Sequence, residues 1–115
     1  MNSKKTNYTI GTDNIFQDLG LPDADERLAK TKLAIRIEQI IEERKLKQRE
    51  VAKILGVTQP KISALKNGQL SGFSMERLIH FLILLNQDIE IIVKSKPIED
   101  THLGHVFVNF IQATD

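Results

Sequence analysis

Apolar residues recur along this chain at two different periods, and the change of period divides it. Leu28, Leu33, Ile37, Ile40 and Ile41 fall at helical spacing and predict a long first helix from about Asp23 to Lys45. Asp23 is placed to cap that helix, with Glu26 as its capping-box partner, while Asp25 suits the positive end and Arg44 and Lys45 the negative one. Val51, Ala52 and Leu55 then share one face of a short helix over Gln48–Leu55. Gly56 follows, where the chain must reverse with little room for a side chain and with φ above zero. Thr58 can cap the next helix through its hydroxyl, and Pro60 falls in the first turn, where a missing N–H costs nothing. Ile62 and Leu65 return to the apolar side, and Asn67-Gly68 closes the unit. A small residue, Ala52, four before the glycine suits close approach of two helix backbones. That spacing predicts a helix-turn-helix, against the plainer alternative of an αα-hairpin with no binding role.

A connector, QLSGF, leads to a strongly apolar helix over 74–86, capped by Ser74. Its Leu78, Ile79, Phe81, Leu82 and Leu85 cover most of the circumference, which predicts burial. At Gln87 the period falls to two. Ile89, Ile91 and Val93 alternate through Asp88–Lys94, and Val106, Val108 and Phe110 through His105–Ile111, so two strands are predicted. They could pair as a hairpin across the polar loop between them. An isolated hairpin is marginal in water, so it would pack on the helices or be extended by a second copy. At the other end, residues 1–11 read as a flexible polar arm and 12–21 as one helical turn whose Ile15, Phe16, Leu19 and Leu21 pack on the body. The expected organisation is an arm over 1–11, a helical domain over 12–86 with its helix-turn-helix at 48–68, and a dimerising β segment over 87–115.

Charge decides between the hairpin and the binding motif. The net charge of +1 hides an uneven distribution: residues 1–11 carry +2, 12–43 carry −4, 44–66 carry +6 and 67–115 carry −3. Seven of the eight charges between Arg44 and Lys66 are basic (Arg44, Lys45, Lys47, Arg49, Lys53, Lys61 and Lys66, against Glu50), a concentrated basic face. The outward positions of the second short helix, Gln59, Lys61, Ser63 and Lys66, carry groups that can bond to base edges or phosphates. A scaffold hairpin has no need of them.

The remaining composition narrows the class. The 115 residues, 41% hydrophobic, suffice for one small core; the absence of cysteine excludes a disulfide framework and a Cys-ligated zinc finger. No apolar run approaches ~20 residues and the N-terminus lacks the apolar core of a signal peptide, so a cytoplasmic protein is expected. There is no Gly-rich phosphate loop, H-E-x-x-H or G-x-S-x-G, and the glutamates of the first helix read as a solvated face; no enzyme and no cofactor is expected. His102 and His105 are three apart without further ligands, and His80 lies in an apolar helix as a packing residue, so no metal site is expected.

QREVAKILGVTQPKISALKNG closely resembles the Xre/Cro-type, lambda repressor-like helix-turn-helix. The flanks DLGLPDADERLAKTKLAIRI and LSGFSMERLIHFLILLNQDIEIIVK resemble a branch of short Xre proteins. Many of these are antitoxins of HigA type, encoded beside toxins of the HigB/RelE class that cleave ribosome-bound mRNA; others are stand-alone regulators. The resemblance covers about residues 12–94 and implies a mainly α, five-helix domain, to which the periodicity adds a short C-terminal strand or hairpin. By the same resemblance Gln59, Pro60, Lys61 and Ala64 face base edges, with Ser63 at the groove margin. Arg44, Lys45, Lys47, Gln48, Arg49, Thr58, Lys66 and Asn67 approach phosphates, and Gln48 also braces Gln59. The sequence departs from the family pattern at Lys47, where a Ser or Thr cap is common, and at Pro60 and Ala64, which can touch only thymine methyls or shape the fit. The implied partners are a palindromic double-stranded operator, a second copy held through Ile89, Ile91 and Val93, and a HigB/RelE-type toxin. Two alternatives stay open: a protein-interaction module that mainly sequesters a toxin, and a non-specific, nucleoid-like DNA binder.

Overall fold

The computed structural model describes residues 23–102 and 104–111, and among these it places four helices: α1 over Asp23–Glu43, α2 over Gln48–Leu55, α3 over Gln59–Lys66 and α4 over Met75–Leu84. α1 packs along α4, α2 against α3, and each pair touches the other. The core at their junction consists wholly of apolar side chains. α1 contributes Ala29, Leu33, Ala34, Ile37 and Ile40, α2 Val51 and Leu55, and α3 Ile62 and Leu65. Phe73, α4's Met75, Leu78, Phe81 and Leu82, and Leu85 just beyond that helix complete it. Complete burial of side chains such as Ile37, Leu78 and Phe81 contributes about 1.5–3 kcal/mol each. The expected core is right for Leu33, Ile37 and Ile40 but not for Leu28, which is 56% exposed. The inward stripe of α1 runs through Ala29 and Ala34 instead, small residues that let α1 lie close to α4.

One device ends all four helices. A left-handed residue follows the last turn, and the next N–H bonds back to a carbonyl five residues earlier. The left-handed residues are Lys45 (φ 53°), Gly56 (69°), Gly68 (75°) and Asn86 (65°). The closing bonds run from Leu46 to Ile41, Val57 to Ala52, Gln69 to Ala64 and Gln87 to Leu82, at 2.9–3.0 Å. Glycine at 56 is therefore required by its backbone angle and not by crowding: a Cβ there would meet nothing within 4 Å. Helix starts differ more from expectation. Ser74 caps α4, accepting from the Arg77 N–H at 3.0 Å. Thr58 holds the extended geometry of a cap, but its hydroxyl accepts no capping bond. Lys47 cannot accept one, and Glu50 supplies half of a capping box by accepting the Lys47 N–H at 2.7 Å. Asp23 is itself the first described helical residue and so belongs to the acidic first turn.

Two expectations are corrected here. Five helices are not supported: four are present among the described residues, and the helical turn expected at 12–21 lies outside them, as does the arm over 1–11. The C-terminal strand is not supported either. Residues 87–111, as far as described, contain neither helix nor strand, and no main-chain hydrogen bond joins 88–94 to 105–111. The period-two alternation survives without pairing. Val106 and Val108 rest against the core while Phe107 points outward, and His105 Nδ1 lies 2.7 Å from Asp25 Oδ2 on α1. Ile89, Ile91 and Val93 all face solvent, the last two at 80% and 91% exposure. The second segment is spent on the helices, so the first has no neighbouring strand to bond with.

Candidate nucleic-acid interface

The crossing of α2 and α3 is fixed by side chains at its start. The Gln48 amide donates from Nε2 to the Gln59 carbonyl at 3.2 Å and to the Ser63 Oγ at 2.6 Å. Two turns of α3 are thereby tied to the first residue of α2. The brace expected between Gln48 and Gln59 is made to the main chain, which leaves the Gln59 side chain uncommitted to it. It also directs the amide's protons inward, away from where a phosphate would sit, and Ser63 becomes part of the tie. Beneath it, Val51 and Leu55 of α2 meet Ile62 and Leu65 of α3 in the core, so the pair is anchored on its inner side as well.

The outer side gathers most of the expected contact residues. Lys47, Gln48 and Arg49 are exposed at the start of α2, Thr58, Gln59 and Pro60 at the start of α3, and Lys66 and Asn67 at its end. Ser63 and Ala64 are half-buried between them. Lys45 is exposed in the turn before α2. Two residues stand differently. Lys61 turns away from the reading face: its Nζ lies over the Phe73 ring, 5.1 Å from the centroid. Arg44 reaches back across the fold, donating from Nη2 to the Leu85 carbonyl at 2.8 Å, where it closes the end of α4.

The charge of this face is uncompensated. The ion pairs among the described residues join Lys30 to Glu26, Arg36 to Glu43, Lys96 to Asp100, His102 to Asp100 and His105 to Asp25. None involves a basic residue of 44–66, and Glu50, the one acid there, is spent on a main-chain N–H. No group of three or more metal-ligating side chains is found among the described residues. What the surface offers is a short helix with an exposed amide at its start, flanked by exposed cations. A convex rod of that kind fits a groove.

A model of the helix-turn-helix domain matches residues 15–94, a span that contains all four helices. The chain belongs to the Xre-type helix-turn-helix family. A solved structure called "Putative XRE Family Transcriptional Regulator" is 42% identical, with a TM-score of 0.69 over 76% of this chain and 99% of that one. No curated protein sequence matches the chain. In this helix-turn-helix protein α2 is the supporting helix and α3 occupies the recognition position, with Gln59 at its exposed start. No helix among the described residues is long and apolar enough to cross a membrane.

Sequence reasoning missed Phe73 and Arg77. Phe73 is buried edge-on against Phe81, ring centroids 6.0 Å apart, and the Arg77 guanidinium lies 5.7 Å from the Phe73 centroid and 5.6 Å from that of Phe81. The available signal was an aromatic residue in the short connector, four residues before an arginine.

Proposed function

We propose that this protein is a sequence-specific DNA-binding transcriptional regulator. It works as a homodimer on an inverted repeat at a promoter, its own included, and represses by excluding polymerase. The observation that carries the reading is the helix-turn-helix whose basic side chains have no acidic partner among the described residues, arranged around an exposed Gln59. Phosphate contacts from Lys45, Lys47, Arg49, Lys66 and the turn at Thr58 hold the register, and Asn67 lies beside them. Gln59 reads an adenine edge, with Pro60, Ser63 and Ala64 shaping the fit. A single module buries too little for strong specific binding, and two joined rigidly add their free energies. The dimer is supported by the bare, β-branched row of Ile89, Ile91 and Val93. Selection of bound duplexes from a random pool, followed by sequencing, tests the reading. The expected product is an inverted repeat with half-sites about one DNA turn, roughly 34 Å, apart. A pool that stays random would leave only non-specific binding.

The finer role is a HigA-type antitoxin, acting in the cytoplasm beside a HigB/RelE-type toxin. The exposed apolar side chains beside the dimer row favour it, because Ile92 and Ile98 add apolar surface that DNA binding does not use. A small basic protein encoded in the neighbouring reading frame, co-purifying with this chain, is the expected result. A neighbour of another kind places the protein among the stand-alone regulators.

A further inference from the structure

The turn that ends α1 and the turn that ends α4 meet at one atom, the Leu85 carbonyl oxygen. It accepts from Arg44 Nη2 at 2.8 Å and from Gln87 Nε2 at 3.1 Å. The Leu85–Asn86 peptide plane therefore cannot rotate without losing both bonds. Each turn also carries a left-handed residue that is not glycine, Lys45 (φ 53°) after α1 and Asn86 (φ 65°) after α4, and these are the two of that kind among the described residues. A side chain makes that conformation costly, and it persists where its surroundings over-determine it. Here they do. The Leu46 and Gln87 N–H groups close the two turns onto Ile41 and Leu82, and the Leu85 side chain is wholly buried beneath.

What the two turns connect gives the contact its meaning. Lys47, three residues after Arg44, leads into α2, and α2 is tied to the recognition helix through Gln48. On the other side, Asp88 begins the segment that presents Ile89, Ile91 and Val93 to solvent. We infer that Arg44 is a positioning residue: it sets the angle between the helix-turn-helix and segment 88–94, and through that angle the half-site spacing that the dimer accepts. This rests on the dimeric DNA-binding reading given above. It adds a residue that selects among operators without touching a base or a phosphate. Each base pair added between half-sites moves one of them about 3.4 Å along the duplex and roughly 35° around it. A dimer with a fixed exit from α4 cannot follow that displacement and loses the gain from joint binding. A dimer with a loose exit can follow it.

The test uses the full chain, well below its Tm, on the selected operator and on duplexes with one base pair added or removed between the half-sites. A duplex with a single half-site is the control. Wild-type protein is expected to bind the altered spacings roughly tenfold or more weakly than the selected one. Arg44→Ala should narrow that difference to about threefold or less, with affinity for the single half-site and the salt slope unchanged. Arg44→Lys should fall between the two, and it decides should Arg44→Ala fail to fold. Variants as selective for spacing as the wild type would overturn the role of Arg44 and leave the dimer intact. An Arg44→Ala protein weakened equally on every duplex, the single half-site included, would overturn it as well, since Arg44 would then act on DNA or on the recognition helix. A wild-type protein indifferent to spacing would overturn the dimeric reading and this inference with it.

Discussion

Arg44 was expected on sequence grounds to hold a phosphate, and its geometry assigns it another task. Its Nη2 donates to the Leu85 carbonyl at 2.8 Å, in a partly buried position where α4 ends. That carbonyl belongs to the last turn of a helix, where the acceptor has no partner within the helix and the macrodipole is negative. A charge-assisted bond of this kind contributes about 1.5–3 kcal/mol when shielded. Arg44 is exposed, so solvent screening brings the contribution to the bottom of that range or below it, about 1–2 kcal/mol. Arg44→Ala should therefore lower Tm by on the order of 5–10 °C for a domain of this size. Its salt slope for DNA binding, measured well below Tm, should match the wild type. Arg44→Lys should recover only part of the loss, because a lysine side chain is shorter and its ammonium is more strongly hydrated. Thermal unfolding by circular dichroism and a salt titration on one duplex read the two effects separately. An Arg44→Ala protein with unchanged Tm and a slope flatter by about one unit would refute the assignment and return Arg44 to the phosphate set.

Four further outcomes are expected. Gly56→Ala should cost about 1–2 kcal/mol purely through the left-handed backbone, since the new methyl meets nothing; Lys45→Gly should stabilise by a smaller amount through the same strain relieved. Both are read by denaturant unfolding, and the reverse order of signs would show that the helix ends are held by something else. Gln59→Ala should relax preference at one symmetric pair of operator positions, on the order of 1–3 kcal/mol, with non-specific binding kept; a uniform loss over all sequences would make Gln59 structural. Lys47→Ala and Arg49→Ala should each weaken all duplexes alike and flatten the salt slope by roughly one unit. The double variant Ile91→Lys, Val93→Lys should fold normally, because both side chains are almost wholly in solvent, and should be a monomer by light scattering; a dimer would put the interface on the helices.

How much of this was legible in the sequence depended on whether a feature was local. The helices were, because a buried stripe must recur every three or four residues and each stop carries its own signature. Gly56, Gly68 and Asn86 all sit where a left-handed residue ends a helix, and residues of those types tolerate that conformation. Lys45 carries no such signature and was accordingly taken for a residue of α1. The reason for Gly56 was half right: the angle demands it, the space does not. The Lys61 ammonium was not foreseen over Phe73, because its outward register on α3 says nothing of that ring, twelve residues later. The Arg44 bond to Leu85 was hidden for the same kind of reason, its partner lying 41 residues away. Side-chain destinations across elements are tertiary facts, and periodicity does not encode them.

The C-terminal segment shows the same limit at the level of the backbone. Alternation at period two states only that a stretch could serve as a strand; pairing is supplied by whatever lies alongside. Here Val106 and Val108 find the helical core, and the stretch through Ile89, Ile91 and Val93 is left with neither a ladder nor cover. Water can satisfy its main-chain groups at no great cost. It does nothing for the three β-branched side chains, whose burial is worth about 1.5–3 kcal/mol each when complete. A second copy approaching across a two-fold axis would meet an identical segment, since an isologous contact presents the same patch to itself. Antiparallel pairing there would satisfy the main chain and cover the apolar row in one step. It would also join the α4 ends of the two protomers and so fix how far apart the two copies of α3 stand. On this reasoning the alternation that reads as a strand would be realised between molecules, and the proposed dimer and the spacing of its operator half-sites would have one physical cause.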